Sequence, residues 1–249
     1  MSKPQIVLVC GAWHAPGIYM TSLMSALSAQ GYTIHTRQMP SIGNPTPPTD
    51  LSADIAALRT LVSDAISPTG NDVIVICHSW GGIVTGSALD GLSKHEREAS
   101  GQKGGVVRAG YMTAFMLPAG GTLKDAPGTN LPAWVDVQPP QTYATSAEMF
   151  YNDLPPADQA MWFAKLQSHG LGSVSTLPTG ESWKVIPSSY LLCELDQALP
   201  EAVQMGMVEG ARGMGADVQV TRIRAGHSPF LSKVEETAEW IRGVAGEVL

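Results

Sequence analysis

A serine, an aspartate and a histidine stand far apart along the chain in settings that suit carbonyl chemistry. Ser79 lies in Cys77-His78-Ser79-Trp80-Gly81, Asp196 ends Leu191-Leu192-Cys193-Glu194-Leu195-Asp196, and His227 sits in Ala225-Gly226-His227-Ser228-Pro229-Phe230. A hydroxyl is a poor nucleophile until a base takes its proton, and an imidazole base works best when a carboxylate holds its tautomer. The expected division of labour is Ser79 as nucleophile, His227 as proton shuttle and Asp196 as orienting acid. Acyl transfer also needs N–H donors for the developing oxyanion. The backbone N–H of Trp80 is one candidate, and Gly11 in Cys10-Gly11-Ala12-Trp13-His14 allows the Ala12 N–H to be the other.

The pentapeptide around Ser79 follows the pattern G-x-S-x-G, with Cys77 where the first glycine is usual. That pattern belongs in a cramped turn between a strand and a helix, where small neighbours let the helix approach the strand. Val73 to Cys77 is a β-branched run that reads as a buried strand, and the small and apolar residues from Gly81 to Leu89 read as a helix. Plainer readings compete. Ser79 and Asp196 both occupy places where a helix N-cap would stand, and His227 could be a loop histidine with a structural hydrogen bond.

Strand-like runs recur at Gln5 to Cys10, Tyr32 to Gln38, Asp72 to Cys77, Val106 to Phe115, Ser189 to Glu194 and Val218 to Ile223. Helical spacing links Met20, Leu23, Met24 and Leu27, and again Ile55, Leu58, Leu61 and Val62, the latter set opening after Asp50 as an N-cap. Such alternation predicts an α/β fold with a mostly parallel sheet of about six strands flanked by helices. Residues 1–117 and 188–249 form the expected core. Residues 118–187, rich in Pro, Gly and aromatics with a helical stretch around Pro156 to Gln167, read as an inserted, mainly helical cap. Gly43 to Thr49 and Lys94 to Gly105 read as surface loops.

Trp13, His14, His78, Trp134 and Trp162 are the candidate pocket residues. His14 and His78 also read as braces for the loops beside Ser79 and Gly11. The chain of 249 residues is 44% hydrophobic with a formal charge of −7, which argues against nucleic acid and anionic membranes as partners. Met1 to Pro4 runs straight into the first strand-like segment without a signal peptide or membrane span, so a cytoplasmic location is expected. Three cysteines are too few for a disulfide framework and read as buried thiols. No Cys/His pair has a zinc-ligand spacing, and Cys10 to Gly17 lacks a dinucleotide turn, so neither metal nor cofactor is implied.

At "CGAWH", "CHSWGG", "FYNDLPP", "LLCELDQALP" and "AGHSPF" the sequence resembles the α/β-hydrolase superfamily, in the branch of small esterases whose first loop reads HGAWH. Plant methylesterases and hydroxynitrile lyases are neighbours of that branch. Cys10 stands where the branch commonly has His, and Cys77 where it has Gly. The resemblance implies Asp196 as the triad acid, with Glu194 as the fallback. It also implies a serine hydrolase acting on a small hydrophobic or aromatic ester or lactone, a thioester being another substrate of that kind. A hydroxynitrile-type lyase is the first alternative, although such lyases usually carry a Lys after the histidine and a Thr in the first loop, where Ser228 and Gly11 stand here. A ligand receptor that keeps the triad is the second. Dehalogenases and epoxide hydrolases of this fold use an aspartate at the position of Ser79.

Overall fold

A computed structural model describes residues 3–67, 69–120 and 131–248. The β-branched runs form the strands expected of them: β1 (Gln5–Val9), β2 (Ile34–Thr36), β3 (Asp72–His78) and β4 (Gly105–Met112). Helices intervene: α1 (Pro16–Tyr19), α2 (Thr21–Ala29), α3 (Ser52–Ile66), α4 (Gly81–Ala88) and α5 (Lys94–Ala99). The next segment carries β5 (Val135–Gln138), β6 (Gln141–Ala144), α6 (Glu148–Tyr151), α7 (Pro156–Phe163), β7 (His169–Gly170) and α8 (Leu171–Ser175). After a 3-10 turn at Ser182–Lys184, the chain resumes with β8 (Ser188–Cys193), α9 (Glu201–Gly213), β9 (Val218–Ile223), α10 (Pro229–Ser232) and α11 (Val234–Val244).

The six-stranded sheet has the order β2-β1-β3-β4-β8-β9, and every pairing in it is parallel. Strands buried on both faces need apolar residues at successive positions. Ile6 to Val9 and Val73 to Cys77 meet that need, all of them almost wholly buried. Helices α2, α10 and α11 pack together, with α11 also on β4, while α3 and α4 pack on each other, α3 against β1 and β3 and α4 against β3. Gly110 on β4 makes room for α11, since a Cβ there would stand 2.5 Å from Ile76 Cδ1 and 3.0 Å from Trp240 Cη2.

The chain leaves β1 for β2 on one side and returns to β3 on the other. The carboxyl ends of β1 and β3 therefore flank a topological switch point, where parallel α/β sheets open a crevice. The loops holding Ala12 and Ser79 both start there.

Two expectations are corrected and one is completed. The segment between β4 and β8 carries helices α6, α7 and α8, as expected of a mainly helical insertion, and in addition an antiparallel sheet of three short strands, β5, β6 and β7. Lys94 to Gly105 is not wholly a loop, because Ser93 Oγ accepts from Glu96 N at 3.2 Å and donates to Glu96 Oε2 at 2.6 Å, an N-cap that starts α5. Asp50 does not cap α3 directly. Its carboxylate accepts from Ser52 N at 2.9 Å one residue upstream, and Leu51 holds the N-cap position. Among the described residues no helix is long and apolar enough to cross a membrane.

Candidate active site

The bend after β3 is tight. Ser79 has φ 51°, in the left-handed region that costs a non-glycine residue about 1–3 kcal/mol. Backbone bonds hold it there: Gly82 N and Phe115 N each donate to Ser79 O at 3.0 Å. A Cβ on Gly81 would come within 2.7 Å of Cys10 O, and one on Gly82 within 2.1 Å of Phe115 O. Gly11 crosses over the same bend, where a Cβ would lie 2.8 Å from both His78 Nδ1 and Ser79 Cβ. Cys77 fits where the usual pattern has glycine, buried in β3 opposite Val9 and Tyr111, its thiol donating to Gly110 O at 3.5 Å. Burial pushes this thiol up to about 12, so it stays protonated. All three cysteines are free and buried.

His227 Nδ1 donates to Asp196 Oδ2 at 2.7 Å, both side chains being buried. Thr113 donates its hydroxyl to the same oxygen. The other oxygen, Oδ1, accepts from Ala198 N and Leu199 N, each at 2.8 Å. The two readings of Asp196 thus coexist on separate oxygens, one bracing the loop toward α9 and one holding the imidazole. Glu194 faces away, with Oε1 3.7 Å from Arg222 Nη1 at the surface. Because Nδ1 is the donor to Asp196, neutral His227 keeps its lone pair on Nε2. His227 and Ser79 line one cavity, without a hydrogen bond between them.

Ala12 and Trp80 line that cavity too, and neither backbone N–H donates to an acceptor among the described residues. Trp80 also stands at the N-cap of α4, where the helix end adds positive potential.

The cavity measures about 240 Å³. Trp13 and Trp134 line it, joined by Phe115, Phe150, Ile83, Leu117, Leu131, Val174, Leu199 and Val203. Three of the candidate pocket residues do not. His14 lies behind the wall, its Nδ1 2.7 Å from Ala12 O and its Nε2 2.8 Å from Tyr151 Oη. A carbonyl only accepts, so His14 Nδ1 carries the proton and Nε2 accepts from the tyrosine. His78 is likewise buried, with Nε2 donating to the backbone carbonyl of His227 at 2.8 Å. Burial holds His14 down at about 3 and His78 well below the ordinary histidine value, so both are neutral. Trp162 packs outside, its ring 5.6 Å from that of Tyr19 and 4.1 Å beneath Lys165 Nζ.

Sequence reasoning missed Thr113, which no spacing ties to Asp196. It also missed His169, buried with its ring 4.5 Å from that of Trp80.

The profile described as "Alpha/beta hydrolase family" matches residues 6–240. The chain is 31% identical over 255 residues to the alpha/beta hydrolase nvfD of Aspergillus novofumigatus, covering 100% of this chain and 99% of that one. It is 29% identical over 254 residues to the probable hydrolase R7 of Phoma sp., covering 99% and 100%. Among solved structures, it is similar to the pyrethroid hydrolase of Sphingobium faniae JZ-2, with a TM-score of 0.73, 21% identity and 98% of each chain covered. It is equally similar to tomato methylketone synthase I in complex with 2-tridecanone, at a TM-score of 0.73, 16% identity and 99% of each chain. These structural likenesses speak for the fold. With its parallel sheet, its strand-to-helix bend at Ser79 and a family match across residues 6–240, the chain belongs to the alpha/beta hydrolase family.

Proposed function

We propose that the protein is a serine hydrolase of small, neutral, hydrophobic carboxylic esters or lactones. Ser79 Oγ attacks the carbonyl carbon while His227 Nε2 takes its proton, and the Asp196 carboxylate supports the imidazolium that results. The Ala12 and Trp80 N–H groups hold the oxyanion. His227 then gives the proton to the leaving alkoxide, and water, activated by the same imidazole, releases the acid from Ser79. The Ser79 hydroxyl and His227 Nε2 come within hydrogen-bond reach when substrate fills the cavity, as catalytic pairs do that are far apart in the free enzyme.

One observation carries this reading: the Asp196-bonded imidazole and the Ser79 hydroxyl share a cavity with two unpartnered N–H donors. The cavity wall favours a neutral apolar substrate, since among its described lining residues none is an acid, a lysine or an arginine. The segment between β4 and β8 serves as the cap, supplying Leu131, Trp134, Phe150 and Val174 to that wall. The lyase reading fares worse. The threonine typical of such lyases has no room at position 11, where a Cβ already meets Ser79 and His78.

A panel of p-nitrophenyl esters and simple lactones, read by turnover and by intact mass, tests the proposal. Ester hydrolysis with an acyl adduct on Ser79, lost in Ser79→Ala, is expected. Hydrolysis undiminished in His227→Ala would end the assignment.

A further inference from the structure

Four consecutive residues of the segment between β4 and β8 each reach a different part of the candidate active site. Phe150 lines the cavity and packs its ring 5.7 Å from that of His227. Tyr151 donates its hydroxyl to His14 Nε2 at 2.8 Å, and His14 in turn donates from Nδ1 to Ala12 O. Asn152 donates from Nδ2 to Leu195 O at 2.8 Å, on the loop that ends in Asp196. Asp153 accepts from Gly226 N at 2.7 Å, on the residue preceding His227.

We propose that Phe150–Asp153 is a clamp that sets the oxyanion, acid and base loops relative to one another, with Tyr151, Asn152 and Asp153 as positioning residues. The inference rests on the acyl-transfer reading above. Its physical basis is that the three loops leave three different strands, β1, β8 and β9, and their tips need a common reference. A single turn of chain that bonds to all of them supplies it. Chemistry is sensitive to such placement, since a displacement of about 1 Å can lower a rate about 10²-fold.

Gly226 belongs to the clamp from the other side. A Cβ there would lie 2.4 Å from Asn152 Oδ1 and 2.6 Å from Asp153 Oδ1. Both oxygens are buried and have no partner among the described residues, and only a residue without a Cβ fits beside them. Gly226→Ala would push the cap turn away from the base loop without changing the identity of any cap residue.

The test uses Asp153→Ala, Asn152→Ala and Gly226→Ala in the full chain, with two readouts. One is kcat against KM on the best ester. The other is the proton resonance of the His227 Nδ1–H bonded to Asp196, which reports imidazole placement without any turnover. The clamp predicts that kcat falls by about tenfold to about hundredfold with KM within about twofold, and that the resonance shifts or broadens. Asp153→Asn keeps an acceptor for Gly226 N–H and is expected to recover part of the loss. A wild-type kcat and an unmoved resonance in Asp153→Ala and Gly226→Ala would overturn the clamp, as would a loss carried by KM alone. If Asp153→Ala does not fold, Gly226→Ala and Asp153→Asn decide the matter. If the wild-type chain hydrolyses no ester, the acyl-transfer reading fails and the imidazole resonance alone decides the clamp.

Discussion

Thr113→Val isolates one bond at the acid of the proposed triad. Thr113 has φ 38°, so it sits in the left-handed region although its side chain is β-branched. Valine is β-branched too and has nearly the same shape, so the backbone strain of about 1–3 kcal/mol is present in both forms and cancels in the difference. What changes is the hydroxyl that donates to Asp196 Oδ2. A hydrogen bond to a charged group contributes about 1.5–3 kcal/mol. Asp196 keeps its other donors, His227 Nδ1, Ala198 N and Leu199 N, so the carboxylate is not left bare. The expected cost in folding stability is therefore toward the lower end, about 1.5 kcal/mol. The effect on kcat has a ceiling of about tenfold to hundredfold, reached only if the whole bond acts in the transition state. Urea unfolding and steady-state hydrolysis, with Thr113→Ser as the control that keeps the hydroxyl, measure both quantities. Stability and kcat unchanged in Thr113→Val would refute the reasoning, and so would an equal loss in Thr113→Ser.

Acid should destabilise the fold through its buried histidines. His14 and His169 titrate near 3 in the folded chain and His78 well below 6.5, all because of burial. The unfolded chain therefore binds protons that the native one does not. Stability is lost as pH falls below 6.5, at about 1.4 kcal/mol per pH unit for each histidine. Unfolding free energies from urea titrations at pH 7 and 5.5 should differ by up to about 4 kcal/mol, and equal values would count against neutral buried imidazoles. Gly82→Ala, whose Cβ would strike Phe115 O, should lower the melting temperature sharply or prevent folding. Gly206→Ala, on α9 with no atom within 4 Å, should raise stability by about 0.5–1 kcal/mol, as paired thermal melts would show. Trp134→Ala should widen the cavity and move ester preference toward longer acyl groups, visible as a shift in kcat/KM across a chain-length series. The three buried cysteines should resist a thiol reagent until urea unfolds the chain.

The strands of the main sheet were legible because a strand buried on both faces leaves a dense β-branched run, as in Val73 to Cys77. The bend at Ser79 was legible because its steric demands are local: Gly81 and Gly82 sit within three residues of it. The order Ser79, Asp196, His227 was readable along the chain, and the structure brings the last two into contact. The hairpin of β5 and β6 was missed although Val135–Gln138 alternates and Pro139-Pro140 marks a turn. The aromatics around it pointed to a helical cap, but a short strand can carry them equally well. Helix α5 escapes the sequence reading because Lys94 to Gly105 is polar and glycine-rich, although Ser93 and Glu96 stand at the spacing of a capping pair. Thr113, His169 and the bonds of Asn152 and Asp153 left no trace in spacing. Each joins elements that are distant in sequence, and only packing makes them neighbours. His14 and His78 flank mechanistic residues, yet adjacent side chains along a strand or turn point to different sides, which is why they end behind the wall.

The register of β1 on β3 pairs Val9 with Cys77. Ala12 and Trp80 each lie three residues beyond that pair, so their amides depart from a common rung. The two loops therefore start from neighbouring strands one lateral repeat apart, about 4.8 Å, inside the six-stranded sheet. Amide exchange along the paired strands β1 and β3 should accordingly follow the global unfolding equilibrium, whereas the unpartnered Ala12 and Trp80 amides in the cavity wall should exchange without it.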